Sequence, residues 1–495
     1  MSTIDKDIRS LGRLRTALLT GDIDRRAFLS GAMGLSAAAL LAGCGGGLQN
    51  KTGDGGGTKA AGGKSVVPLY TSENDPATLA FFNMAIAEFT KKHPDVQVKV
   101  TSYSDSNQLQ YLTTAFKNGV DVGIFSPAVS DFALYQQAGY LAQLDSVVAE
   151  IGAKDFLPAT RVQIDGHDYA MPQQSNSSLV YYRKDLLQGA GLSEPKTYQE
   201  YVDAITALNG KNGIVGIASG VGPTPQLPLQ FFAPYIYQAG WDYFDKDGEL
   251  TFDRPEVLEA VQRFVAVMRQ TADSFYNTDF GGIVSAYSAG RAAFATFPGR
   301  LGLSLADKNP KVAEATGVMR IPAGPFMTGQ LHFGSGQQYA LYGKTADLEA
   351  AKAFLMHMTT GKTAVAFAMT VPGHLLPPLR STSKLFMEEV EHSTDPYVSK
   401  HRDWIKTFVD AVPGAMTSSV SMGAVSKRKF LGKFSNSCPW ASEIWPAPPI
   451  DGAMFQDILV NKQPAEKAWR AACAKMKSAA DTWKQKHPSW KPSIG

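Results

Sequence analysis

Rings and hydrogen-bonding side chains are what this chain holds in quantity: 7 Trp, 18 Tyr and 26 Phe beside 45 acidic and 48 basic residues. Aromatic faces can stack on a ligand, and carboxylates, amides and guanidinium groups can hydrogen-bond it. Charged partners would roughly double the strength of each such hydrogen bond. Most of the rings must nevertheless be core. Groups for covalent chemistry are harder to find: the chain has no G-x-S-x-G elbow, no H-E-x-x-H and no clustered His/Asp/Glu metal spacing. Glycoside hydrolysis needs only two carboxylates roughly 5 to 9.5 Å apart, so a secreted carbohydrate-active hydrolase stays open as an alternative. Cys438 and Cys473 match no zinc pattern. In an oxidising compartment they form an even pair suited to a disulfide, with two unpaired small hydrophobes as the other reading.

The compartment is written near the N-terminus. Residues 24–47 read DRRAFLSGAMGLSAAALLAGCGGG, with no charge between Arg26 and Cys44. The apolar run of residues 27–42 is short and diluted by Ser and Gly, whereas a spanning helix needs about 20 apolar residues. It suits the h-region of a signal peptide. Arg25-Arg26 resembles a twin-arginine export signal, and Leu41-Ala42-Gly43-Cys44 resembles a bacterial lipobox. Cys44 is therefore expected to be the lipidated first residue of the mature protein, held by more than one acyl chain. Residues 1–43 are expected to be removed, which lowers the net charge from +3 to +1. A near-neutral body argues against nucleic acid as a partner. Residues 45–64, GGGLQNKTGDGGGTKAAGGK, read as a flexible tether. Gly63-Lys64-Ser65 superficially resembles a phosphate loop, but no strand precedes it and the first glycine is misplaced.

The elements that would position a site begin at Ser65. A strand at residues 66–70 leads into an amphipathic helix over about 77–92, broken by His93-Pro94. Residues 96–100 alternate as a strand, a helix follows near 107–118, and residues 120–125 read as a buried strand. Strand, helix, strand, helix, strand in that order implies a parallel α/β sheet. Ligands bind such sheets beyond the carboxyl ends of the strands, here the loops after Tyr70 and Phe125.

Several stretches then resemble one family. Residues 87–98 resemble its "helix, then H/Y-P-x-[IV]-x-V" opening, and Asn118-Gly119-Val120-Asp121-Val122 its "G-x-x-P-D-[IV]" strand, with Val120 in place of Pro. Ala138-Gly139-Tyr140-Leu141-Ala142-Gln143-Leu144-Asp145 is similar to "G-x-L-x-x-L-D". Gly166-His167-Asp168-Tyr169-Ala170-Met171-Pro172 followed by residues 179–186 resembles "G-K-x-Y-A-[LV]-P … L-x-Y-N-K-D-L". Pro195, Thr197, Tyr198 and Glu200 continue it, and residues 287–294 resemble "F-x-x-G-K-A-A-M". The family is that of the extracellular solute-binding proteins of ABC importers, the class that includes maltose-binding protein.

The resemblance implies an α/β fold of the type II periplasmic-binding-protein kind: two lobes, each a mainly parallel sheet flanked by helices, around a ligand cleft. Residues 65–175 with 335–385 are expected in lobe 1, and 178–332 with 386–495 in lobe 2. The chain would cross near 174–178 and 331–336. It implies a monomeric carrier without a cofactor or metal, which closes on a small-molecule solute, expected to be a carbohydrate. The partner would be the permease subunits of an ABC transporter, or a sensory receptor. Family position singles out Glu73 and Asn74 after the first strand, Phe125 ending the third, and Asn176 in the hinge. Trp241, in a "G-G-aromatic" position, and Trp445 are expected as stacking plates, and Gln337 belongs to the second crossing loop. Arg300 stands where the family commonly has the ring of "G-P-W", which admits an acidic sugar or sugar phosphate.

Overall fold

The computed structural model describes residues 63–73, 75–103, 107–157, 160–222, 226–322, 324, 331–334, 337–431, 437–446 and 448–492. Cys44, the signal stretch, nearly all of the tether and Asn74 lie outside these residues.

Along the chain the strands are β1 (Ser65–Thr71), β2 (Val96–Ser102), β3 (Ile124–Phe125), β4 (Gln163–Ile164), β5 (His167–Asp168), β6 (Met171–Pro172) and β7 (Leu179–Arg183). There follow β8 (Val215–Ala218), β9 (Ala292–Phe297), β10 (Thr316–Met319), β11 (His332–Phe333), β12 (Gln338–Leu341), β13 (Ala415–Met416), β14 (Val425–Ser426) and β15 (Lys429–Phe430). Two sheets organise the body. One runs β2-β1-β3-β12-β6, the other β10-β7-β9-β8.

The first sheet starts as its sequence predicts. Helix Pro76–Lys92 begins where Asp75 accepts the Thr78 N–H at 3.0 Å and the Thr78 hydroxyl at 2.6 Å, with proline in the first turn. Strands β2 and β3 both pair with β1 in parallel. The third strand is shorter than its apolar run suggests. Gly123 bends away at φ +52°, and a Cβ there would lie 2.3 Å from the Pro68 carbonyl oxygen. Pro68 also has no N–H to extend the ladder, so pairing starts at Leu69.

Both sheets are mixed, more antiparallel than the sequence implied. Strand β12 enters antiparallel between β3 and β6, and β7 pairs antiparallel with β9 and β10 while β8 pairs parallel with β9. The cause is topological: a chain that leaves one sheet and returns from the other re-enters from the opposite end.

Several family-like motifs have plain structural duties. Thr197 and Glu200 form a capping box on helix Tyr198–Leu208. Asp165 and Gly166, both at positive φ, make the turn between β4 and β5. Asp168 receives both arms of Arg161, at 3.0 and 2.6 Å. Asp121 accepts from the backbone of Gly123 and Ala346, tying the start of β3 to the segment after β12.

The expected disulfide is corrected. Cys438 and Cys473 are both free and buried. Helix Ala465–Lys486 turns the Cys473 sulfur toward the Phe252 carbonyl at 3.9 Å, and the Cys438 N–H is bonded to the Ser419 carbonyl at 2.9 Å. An even count of cysteines carries no information about which faces they occupy.

Candidate functional site

The register of the first sheet brings four polar turns to one edge. Thr71-Ser72-Glu73 leaves β1, Ser126 leaves β3, and Gln173-Gln174 leaves β6. Because β12 runs antiparallel to β3 and β6, Gln337 at its start lies on this same edge. The contacts follow from that placement. Gln337 Nε2 donates to Ser72 Oγ at 3.1 Å, and the Gln337 carbonyl accepts from the backbone of Gln173 at 3.0 Å. Ser126 Oγ reaches Gln173 Oε1 at 3.4 Å, while its carbonyl accepts from Tyr103 and Gln108.

The second sheet contributes from the carboxyl end of β9. Helix Arg300–Lys308 follows it, and Arg300 reaches across to the first sheet's edge. Its guanidinium lies 3.4 Å from Glu73 Oε2 and 3.9 Å from Asp75 Oδ2. Glu73 is almost fully buried, whereas 39% of the Arg300 side chain is exposed. Beside it, a Cβ on Gly299 would lie 2.1 Å from the Gly373 carbonyl oxygen, so the two segments touch backbone to backbone. The adjoining His374 is held neutral, its pKa driven well below the usual value by burial and then by the Arg300 charge.

Residues 173–178, Gln-Gln-Ser-Asn-Ser-Ser, join β6 to β7 and so pass from one sheet to the other. They are packed against the return segment. A Cβ on Gly334 would lie 2.1 Å from the Asn176 carbonyl oxygen and 2.8 Å from the Ala415 Cβ. Ser178 N–H donates to the Phe333 carbonyl at 2.9 Å, and β11 pairs with β13 alongside. This run carries the densest set of unpaired polar atoms here. Gln173 Nε2, Gln174 Oε1, Asn176 Oδ1, Ser177 Oγ and Ser178 Oγ are buried without a partner among the described residues, as is Gln337 Oε1. Buried polar atoms are nearly always hydrogen-bonded in native proteins, to protein, water or ligand.

A loop at 417–424 is fixed above the second sheet by a buried carboxylate. Asp242 accepts from the Tyr243 N–H at 2.7 Å, the Gly423 N–H at 3.0 Å and the Ser418 hydroxyl. The Tyr237 and Ser418 hydroxyls are 2.9 Å apart. Burial outweighs these bonds and pushes the Asp242 pKa up to about 7. Val420 of the same loop packs into the core around Phe125, Phe116 and Tyr135 beneath the first sheet. The loop therefore touches both halves of the molecule.

Of the residues expected from sequence, Glu73, Arg300, Asn176 and Gln337 fall on this edge and crossing. Phe125 does not present a face. It is fully buried, edge-on to Phe116 and Tyr135 at 5.3 and 6.0 Å. Trp445 is corrected likewise: its ring meets Tyr243 edge-on at 5.2 Å and its N–H points at Asp451, 3.4 Å away. Trp241 is half-buried, with the Arg254 guanidinium over its ring at 5.1 Å. A sugar would use its opposite face or displace that cation. Sequence reasoning missed Ser72, Ser126, Gln173, Gln174 and Asp242. An uncharged polar run of six between two apolar strands was the available signal for the two glutamines. No group of three or more metal-ligating side chains occurs among the described residues.

The family model of the bacterial extracellular solute-binding proteins matches residues 73–364, more than half of the chain. The chain belongs to this family. Like other solute-binding proteins it has relatives with assigned ligands. It is 26% identical over 245 residues to the mannitol-binding protein of Pseudomonas aeruginosa, covering 47% of this chain and 56% of that one. The match thus spans little more than half the length of that relative. Among solved structures, the GacH receptor of Streptomyces glaucescens, determined unliganded and with acarbose, gives a TM-score of 0.65 at 22% identity. The match covers 85% of this chain and 98% of the receptor. An ABC transporter solute-binding protein of Agrobacterium vitis with bound D-mannitol gives 0.65 at 20% identity, covering 84% and 98%. The solute-binding protein described here therefore has the two-lobed type II periplasmic-binding-protein fold.

Proposed function

We propose that this solute-binding protein captures a carbohydrate, an oligosaccharide, sugar or sugar derivative, by hinge closure and hands it to the permease of an ABC importer. The observation that carries this reading is the set of unpaired buried amide and hydroxyl atoms on residues 173–178 and Gln337. These uncharged donors and acceptors lie where two α/β halves meet, and a belt of sugar hydroxyls would satisfy them. The assigned ligands of the relatives, mannitol and acarbose, have that chemistry. The first lobe would comprise 65–175 and 335–385, and the second 178–332 and 386–495, hinged at 174–178 and 331–336. Closure would follow from contacts that both lobes make only when shut, so ligand shifts the open–closed equilibrium. Cys44 would carry the lipid after export, and residues 45–64 would tether a monomeric body to the membrane.

The test is calorimetry and thermal shift of the purified protein against a panel of polyols, mono- and oligosaccharides. Saturable binding with one large stabilisation and no change in the ligand is expected. Release of reducing ends from an oligosaccharide would refute the carrier reading in favour of a hydrolase. Failure of every carbohydrate to bind would refute the ligand class.

A further inference from the structure

Resting on the carbohydrate reading above, we infer that residues 417–421 form a third segment of the solute site, and that the Ser421 hydroxyl is a specificity-determining contact for a solute hydroxyl. The segment starts beside the crossing. Strand β13 pairs in parallel with β11, and the Gly334 N–H donates to the Met416 carbonyl at 3.1 Å. Gly334 also abuts the Asn176 carbonyl. The chain that leaves β13 at Thr417 therefore sets out from beside the unpaired atoms of residues 173–178. It then makes one turn of helix, the Thr417 carbonyl accepting from the Val420 and Ser421 N–H groups at 3.1 and 2.9 Å.

That turn reaches between the two halves. Side chains two positions apart on a helical turn lie about 200° apart, and Ser418 and Val420 do face opposite ways. Ser418 donates to Asp242, which also accepts the Gly423 N–H and so holds both ends of the loop above the second sheet. Val420 is fully buried in a cluster whose other members all come from residues 103–170 and 340–342. Within it, Phe125 and Ala340 are a register pair of β3 and β12, the strands that lead to Ser126 and Gln337 on the polar edge. Ser421 stands about 100° on from Val420, on a flank between the two halves. Its Oγ is buried with no partner among the described residues. A buried hydroxyl left unpaired costs the folded state free energy, and a solute hydroxyl at this edge would remove that cost. Serine Oγ both donates and accepts, so it matches a hydroxyl in either role, whereas a solute lacking that hydroxyl leaves it orphaned.

Calorimetry with D-mannitol, maltose and acarbose, together with thermal melting of the solute-free protein, should be compared for wild type, Ser421→Ala and Ser419→Ala. Expected for Ser421→Ala is an affinity lower by about threefold to tenfold for the probe that binds. Its solute-free melting temperature should equal or exceed that of wild type, because the variant removes an unpaired hydroxyl. Loss of binding without loss of stability is what a purely structural serine would not give. Ser419 lies two positions back, on the opposite flank of the turn, and its replacement should leave affinity as it was. The inference is overturned if Ser421→Ala binds as tightly as wild type. It is overturned equally if that variant melts lower, which would mean that the hydroxyl had a partner inside the protein. An equal loss of affinity in Ser419→Ala would assign the effect to the turn as a whole and also overturn it. If wild type binds none of the three probes, the carbohydrate reading itself fails and takes this inference with it.

Discussion

Replacing Asp242 with Asn should make the stability of the protein relative to wild type depend on pH and change sign. The carboxyl lies at the centre of the anchor for loop 417–424, accepting two backbone N–H groups and the Ser418 hydroxyl. Burial raises its pKa from 3.8 to about 7. A folded-state pKa above the unfolded one means that the proton favours the folded state. That contribution is complete below pH 3.8 and is lost as the pH rises through about 7. A shift of about 3 units at about 1.4 kcal/mol each makes it about 4 kcal/mol. Asparagine has no such titration. It has one acceptor oxygen where aspartate has two, so either the Tyr243 or the Gly423 N–H meets an amide N–H, costing ~1–3 kcal/mol. Wild type should therefore be the more stable by that amount near pH 4. The gap should close as the pH rises and reverse by about pH 8. Urea unfolding of both proteins at half-unit steps measures it. Asp131 and Asp451, whose pKa values burial raises to about 6, titrate in both proteins and cancel in the difference. A difference constant from pH 4 to 8 would refute the buried, titrating anchor.

Other predictions are more local. Gly299→Ala places a methyl 2.1 Å from the Gly373 carbonyl oxygen, so it should wedge the two segments apart. Loss of ~1–3 kcal/mol in thermal stability or ligand affinity is expected, and no change in either would mean that the contact yields freely. Trp241→Ala should weaken sugar binding by ~1–3 kcal/mol if the free face of the ring stacks on ligand, with calorimetry as the readout. Unaltered affinity would assign the ring to packing under Arg254. Cys438 and Cys473 should resist thiol reagents until the protein is unfolded, since burial pushes both thiols up, Cys473 to about 12. Reductant should leave the melting temperature where it was. A drop would mean that a disulfide had formed.

The first strand–helix–strand units were legible because their periodicity switches from two to about 3.6 and is punctuated by Asp75-Pro76 and His93-Pro94. The crossing near 174–178 was expected from likeness alone, and the uncharged run between apolar strands, which could have marked it, went unused. What the sequence could not show is pairing over distance. Gln338–Leu341 is four residues with no signature, yet it is the strand that joins β3 to β6. Glu73 and Arg300 are 227 positions apart, and each was picked out by itself while their contact was not foreseen. Phe125 and Trp445 went wrong for another reason. Ring identity says that a side chain will be buried or stacked, but not against what.

The placement of β12 also has a consequence for the order in which the molecule can form. All four strands of the second sheet are encoded by Met319, ahead of Gln338. The sheet that begins the body must meanwhile wait with β6 unpaired and the exposed edge of β3 open. The first sheet is thus finished by a strand threaded back into its middle, and the second half waits longer still, for Trp404 and Phe455 to reach Tyr181 and Phe232. Truncation anywhere between residues 320 and 337 should leave the first sheet unfinished, with an open edge prone to pair with another chain.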